Sequence, residues 1–132
     1  MKEPVWVEKS VVLAIHQRQL AEHGGGDGVR DNGLLDSALE RPKNRLIYGD
    51  PPPGLSEMAA CYAYAIAKNH PFVDGNKRTA FVVCMIFLRI NEKTISATSE
   101  EKYQTFLKLA EGTLGEAALA SWIKAHIQDL EV

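Results

Sequence analysis

Apolar side chains recur along this chain at the three-to-four-residue spacing of helices, and clusters of glycine and proline interrupt them. After an extended start at Pro4 to Val7, the stretch Glu8 to Glu22 carries Val11, Val12, Ile15 and Leu20 at that spacing, and Gly24, Gly25 and Gly26 stop it. Asp31 or Asn32 caps a short helix whose apolar side is Leu34, Leu35, Ala38 and Leu39, and Pro42, which has no N–H to continue the ladder, closes it. Lys43 to Gly54 holds Gly49, Pro51, Pro52, Pro53 and Gly54 and reads as an ordered loop or hairpin. From Ser56 to about Asn69 the chain is apolar nearly all round and rich in alanine, the pattern of a central helix that neighbours approach closely. A second such helix starts from Asn76 and is apolar on most faces from Thr79 to Ile90. Glu100 to Glu111 and Glu116 to Gln128 read as amphipathic helices, split at Gly112 to Gly115, that cover the central pair. No alternating stretch is long enough for a sheet. The pattern predicts an all-α bundle with two central buried helices joined by a polar loop.

Composition narrows what such a bundle can do. With 132 residues, 45% hydrophobic and 24% charged, residues 1–132 make one domain around one core. A formal net charge of -2 leaves no surplus of Lys and Arg for a general grip on nucleic acid or an anionic membrane, so any anion site is local. The longest apolar run, Ala80 to Leu88, falls well short of the ~20 residues a membrane-spanning helix needs. Met1 to Val7 lacks the basic-then-apolar order of a signal peptide, and a cytoplasmic location is expected. Cys61 and Cys84 lie in apolar helical stretches without a Cys-x-x-Cys spacing and read as buried free thiols. His16 falls on the apolar side with Val12 and Leu20 and reads as a core histidine; His23 reads as a cation at a helix C-terminus, and His126 as packing beside Trp122. No pair of histidines has a zinc-ligand spacing on one helix.

The loop between the two apolar helices, His70-Pro71-Phe72-Val73-Asp74-Gly75-Asn76-Lys77-Arg78, breaks the pattern around it. Asn76 can cap the following helix, whose first N–H groups lack partners and carry the positive end of the helix dipole. Gly75 permits a positive φ and close approach of a ligand. Lys77 and Arg78 put two cations where positive charge disfavours the helix, a placement that suits an arriving phosphate. Asp74 is the single acid in this basic turn and suits Mg²⁺ shared with phosphate oxygens and water. His70 is a natural general base toward a hydroxyl, and Phe72 would bury its ring under the loop. By itself, this arrangement points to a Mg²⁺-assisted phosphate site with a histidine base.

Those residues carry a resemblance. The string His70 to Arg78 resembles the signature of the Fic/Doc superfamily, and Lys77 makes it similar to the Doc (death on curing) toxin branch. Val29 to Pro42, reading Val-Arg-Asp-Asn-Gly-Leu-Leu-Asp-Ser-Ala-Leu-Glu-Arg-Pro, also resembles the Doc segment ahead of the central helix, and length and helix order agree over essentially the whole chain. The resemblance implies a compact Fic fold with its active site in the loop. Fic adenylyltransferases have Gly where this chain has Lys77 and a second Arg where it has Phe81, and both departures favour the Doc branch. That branch implies transfer of the γ-phosphate of ATP to a threonine of elongation factor Tu, which stops translation. His70 is then the base, Asp74 the Mg²⁺ ligand, and Gly75, Asn76, Lys77 and Arg78 the phosphate cradle. Adenylylation of a protein hydroxyl is the alternative within the fold, and a non-catalytic co-repressor bound to its antitoxin is the alternative outside it. The inhibitory-helix string of some Fic proteins is absent, so the resemblance implies control by an antitoxin of the Phd type. Lys43 to Gly54 could dock a target peptide as an added strand, as a flap hairpin does in related proteins.

Overall fold

A computed structural model describes residues 3–131, so the reading of the first residues as lacking a signal pattern lies partly outside it. The elements are, in order, α1 (Lys9–His23), α2 (Asn32–Tyr48), α3 (Leu55–Asn69), α4 (Asn76–Ile90), β1 (Lys93–Ile95), α5 (Ser99–Glu111), α6 (Glu116–His126) and β2 (Ile127–Asp129). The class is all-α, with α3 at the centre against α2, α4 and α6, and α1 laid along α4. Small residues make this possible. Ala59, Ala60, Ala63 and Ala65 of α3 are buried and let the neighbouring backbones close in, while Met58, Tyr62 and Ile66 of α3, Val83, Phe87 and Leu88 of α4, and Leu119 and Ile123 of α6 fill the space between. Each of the larger side chains contributes about 1.5–3 kcal/mol by leaving water.

Helix ends follow local chemistry where that chemistry is strong. Asp31 caps α2 by accepting the Leu34 N–H at 2.9 Å. Thr98 and Glu101 form a reciprocal capping box at the start of α5, each side chain accepting the other's backbone N–H at 3.1 Å. Gly24 (φ 76°) ends α1 and Gly112 (φ 81°) ends α5.

Two expectations need correction. Pro42 does not close α2, which runs through it to Tyr48. Contacts on both sides of the proline hold the helix: Arg41 just before it and Arg45 beyond it both pair with Glu116 of α6, at 2.6 and 2.9 Å, and Arg45 also reaches Glu57 of α3. Residues 43–48 are therefore helical, only 49–54 are irregular, and among the described residues no hairpin occupies the stretch expected to dock a peptide. A small sheet exists as well. Helix α6 stops at His126 instead of Gln128, and Ile127–Asp129 pairs antiparallel with Lys93–Ile95 in the register Ile95 with Ile127 and Lys93 with Asp129. Three-residue strands make too short an alternation to be read from sequence.

Both cysteines are free and buried. Burial pushes the Cys61 thiol up to about 11 and the Cys84 thiol up to about 12, so neither is a reactive thiolate at neutral pH. His126 packs against Trp122 with ring centres 4.5 Å apart, and its Nδ1 donates to the Trp122 carbonyl at 2.7 Å. Among the described residues, no helix is long and apolar enough to cross a membrane.

Candidate active site

The loop from His70 to Arg78 joins the C-terminus of α3 to the N-terminus of α4, and two distant parts of the chain and one residue of the loop itself hold it in shape. From inside, Phe72 is fully buried and its ring stacks on His16 of α1 at 3.8 Å, with the planes 9° apart. His16, itself 2% exposed, reaches on to the loop: its Nε2 lies 2.8 Å from the Asp74 carbonyl, and because a carbonyl only accepts, that nitrogen carries the proton. A histidine expected to be merely core is thus also a strut under the loop.

A second support comes from the strand-like segment before α2. Val29 and Phe72 form an antiparallel bridge, Val73 N–H donates to the Gly28 carbonyl at 3.0 Å, and the N–H groups of Arg30 and Asp31 both donate to Pro71, at 2.7 and 3.1 Å. The Arg30 guanidinium donates to the carbonyls of His70 at 2.7 Å and Asn69 at 2.9 Å.

Asn76 is the third support, and its role differs from the expected cap. The N-cap of α4 is Gly75, in the left-handed conformation (φ 77°, ψ 17°), and it makes no side-chain cap. Asn76 is one residue too far into the helix, so its amide turns inward. Its Oδ1 accepts the Phe72 N–H at 2.9 Å, and its Nδ2 donates to the Phe72 carbonyl at 3.0 Å and lies 3.0 Å from His70 Nδ1. The Phe72 N–H requires an oxygen opposite it, which orients the amide and presents a donor to His70. Neutral His70 therefore offers its Nδ1 lone pair to Asn76 and carries its proton on Nε2.

Asp74 is exposed and accepts the Gly75 N–H at 2.8 Å on one oxygen and the Gly26 N–H at 3.4 Å on the other. These two bonds, first the one from Gly75, hold its carboxyl below the usual carboxylate range, and the nearby Arg78 charge adds to the effect. The carboxylate is ionised at neutral pH and keeps lone pairs free for a cation. The glycines that end α1 permit this approach: a Cβ on Gly25, at φ 122°, would sit 2.7 Å from Asp74 Oδ2. That function is invisible in a glycine run read only as a helix stop.

Lys77 and Arg78 are exposed on the first turn of α4, and among the described residues neither has a carboxylate within salt-bridge distance. His70, Asp74, Gly75, Asn76, Lys77 and Arg78 all line one cavity of about 600 Å³. Phe81 of α4 with Phe106 and Leu107 of α5 add apolar lining, and Lys102 and Tyr103 of α5 line it as well. Phe81 and Phe106 pack at 4.5 Å. The cavity therefore combines the charged turn of α4 with apolar side chains of α4 and α5, a lining suited to a molecule with phosphates and a flat apolar group. Sequence reading expected α5 only as a cover and did not bring it to the site.

The residues fit a divalent cation that arrives with phosphate. Asp74 is an ionised carboxylate beside the cationic turn, and among the described residues no cluster of three or more His, Cys, Asp or Glu side chains could hold an ion by itself. Phosphate oxygens and water would supply the remaining ligands.

Comparison with known proteins gives these features a family. The profile of the Fic/DOC family matches residues 6–88, a span that contains both the loop and the supports from α1 and the segment before α2. The chain is similar to a "Toxin Doc" of Mycolicibacterium smegmatis (strain ATCC 700084 / mc(2)155), with 45% identity over 74 residues that cover 56% of this chain and 57% of that protein. It is also similar to a "Protein kinase doc" of Escherichia phage P1, with 35% identity over 80 residues that cover 61% of this chain and 63% of that protein. The chain thus spans about three fifths of the length of these relatives.

Proposed function

The chain belongs to the Fic/DOC family, and from that premise we propose that it is a Doc-like toxin that transfers the γ-phosphate of ATP to a hydroxyl of a protein target. The target residue would be a threonine and the target elongation factor Tu, met in the cytoplasm, so that transfer would stop translation. An antitoxin of the Phd type would be the controlling partner. The observation that carries this reading is the convergence on one cavity of an imidazole, an ionised carboxylate and two cations at a helix N-terminus that have no carboxylate partner among the described residues. The similarity to a relative called a protein kinase supports phosphate over AMP as the transferred group.

In the proposed reaction the target oxygen attacks the γ-phosphorus. A new O–P bond forms as the bond to the bridging oxygen breaks, ADP leaves with that electron pair, and the hydroxyl proton passes to His70. Lys77, Arg78 and the first N–H groups of α4 hold the phosphates and stabilise the charge that develops on them. Asn76 acts mainly by shaping the loop, because its amide is engaged by Phe72 and His70. To accept the proton at Nε2, His70 needs its other neutral tautomer, so loading of the site must exchange the hydrogen bond at Nδ1. Bound Mg²⁺, held through Asp74, would supply charge neutralisation between the phosphates.

ATP labelled at either the α- or the γ-phosphate, incubated with the protein and a cytosolic extract, tests the reading. Label transferred to protein from γ alone is the expected result. Transfer from α would establish adenylylation instead, and no transfer from either would leave a co-repressor bound to its antitoxin. Asp74→Asn should raise the Mg²⁺ concentration for half-maximal transfer by at least roughly tenfold, the scale on which even outer contacts to a metal act. An unchanged Mg²⁺ titration would remove Asp74 from the metal site.

A further inference from the structure

His70 has a backbone conformation that few residues other than glycine adopt. It sits at φ 52° and ψ 54°, in the left-handed region, where a side chain with a Cβ is disfavoured and glycine is the usual occupant. His70 and Glu92 (φ 64°) are the non-glycine residues with positive φ among those described. Histidine is among the few side chains that enter this region, and the contacts around it hold it there and with it the position from which its imidazole leaves the backbone.

Arg30 supplies those contacts. Its Nε donates to the His70 carbonyl at 2.7 Å and its Nη2 to the Asn69 carbonyl at 2.9 Å, while its own backbone N–H donates to the Pro71 carbonyl at 2.7 Å. One residue thereby fixes three consecutive carbonyls, on both sides of the strained position. The guanidinium lies at the C-terminus of α3, where the helix dipole favours a cation, and it has no carboxylate partner among the described residues. Its charge is committed to these carbonyls. A lysine would keep the charge but, with a single ammonium in place of a planar fork, would not span two carbonyls in the same way.

We propose that Arg30 is the positioning residue of His70: it holds the imidazole toward the cavity by locking the left-handed turn at the end of α3, and never touches the nucleotide. This rests on the reading of His70 as the base, and two measurements keep the two ideas separable. The first is γ-phosphoryl transfer by the wild type, Arg30→Ala, Arg30→Lys and the same substitutions in a His70→Ala background. Arg30→Ala should lower kcat roughly 10- to 100-fold, the scale of a small misplacement of a reacting group, with KM for ATP changed less than about twofold. Arg30→Lys should fall between. In the His70→Ala background neither should cost anything further, because the residue through which Arg30 acts is already gone. The second is the set of backbone and Cβ NMR shifts of His70, which report the left-handed turn without any turnover and should move in Arg30→Ala.

An unchanged kcat with unmoved His70 shifts would overturn the proposal. So would a raised KM at unchanged kcat, which would make Arg30 a nucleotide contact, or an equal loss in the His70→Ala background. If the wild type transfers no label yet the His70 shifts move, the positioning stands and the proposed reaction falls. If Arg30→Ala does not fold, Arg30→Lys carries both comparisons.

Discussion

His70→Ala is expected to lower γ-phosphoryl transfer by roughly 10²- to 10⁴-fold, the usual contribution of a positioned acid or base, while ATP still binds. The loss should be selective because the side chain is exposed and carries little of the fold. Asn76 loses its partner at Nδ1 but keeps both bonds to Phe72, so the turn that leads into α4 keeps its shape. Initial rates with labelled ATP, alongside calorimetric titration with the nucleotide, separate the two effects. Transfer at the wild-type rate would remove His70 as the base. Weak nucleotide binding with a normal maximal rate would make the imidazole a ligand for ATP instead.

Phe72→Ala should have the largest effect on stability, a loss of about 3–5 kcal/mol. The ring is wholly buried and lies flat on His16, and the surrounding alanine-rich helices are already in contact and cannot collapse into the gap. In a chain of this length such a loss corresponds to a fall of roughly 10–20 °C in melting temperature. Thermal and urea denaturation followed by circular dichroism would measure it. A melting temperature within a few degrees of the wild type would mean that the ring does not anchor the loop.

The bundle could be read from sequence because its helices are long and their apolar faces repeat, as in α3, where almost every residue from Met58 to Ile66 is buried. The chemistry of the loop could be read because His70, Asp74, Lys77 and Arg78 are close together in the chain and their types suit phosphate. What was missed depends on partners far away in sequence. Pro42 is a helix breaker by local rules, yet Arg45 beyond it finds Glu116 at a separation of 71 residues. His16 was placed in the core correctly, but its bond to Asp74 spans 58 residues. Arg30 was part of the segment that resembled the family, yet its hold on His70, 40 residues on, has no signal in spacing. Asn76 departs from its expected role for a different reason. An Asn at the head of a helix usually caps it, but Gly75 can adopt the left-handed turn and takes the cap position, which sends the amide into the loop.

The bridge between Val29 and Phe72 and the bond from His16 to Asp74 also bear on how this site could be moved between proteins. A nine-residue string with these chemical groups could be grafted between two helices of another scaffold, and every side chain proposed to act would be present. The graft would lack the ring beneath Phe72, the donor on the Asp74 carbonyl and the fork across residues 69–70, all of which arrive from the first quarter of the chain. The smallest portable unit is therefore the helix-to-loop assembly from α1 to the first turns of α4. A designer who transplants only the signature should expect a loop without the contacts that hold its shape.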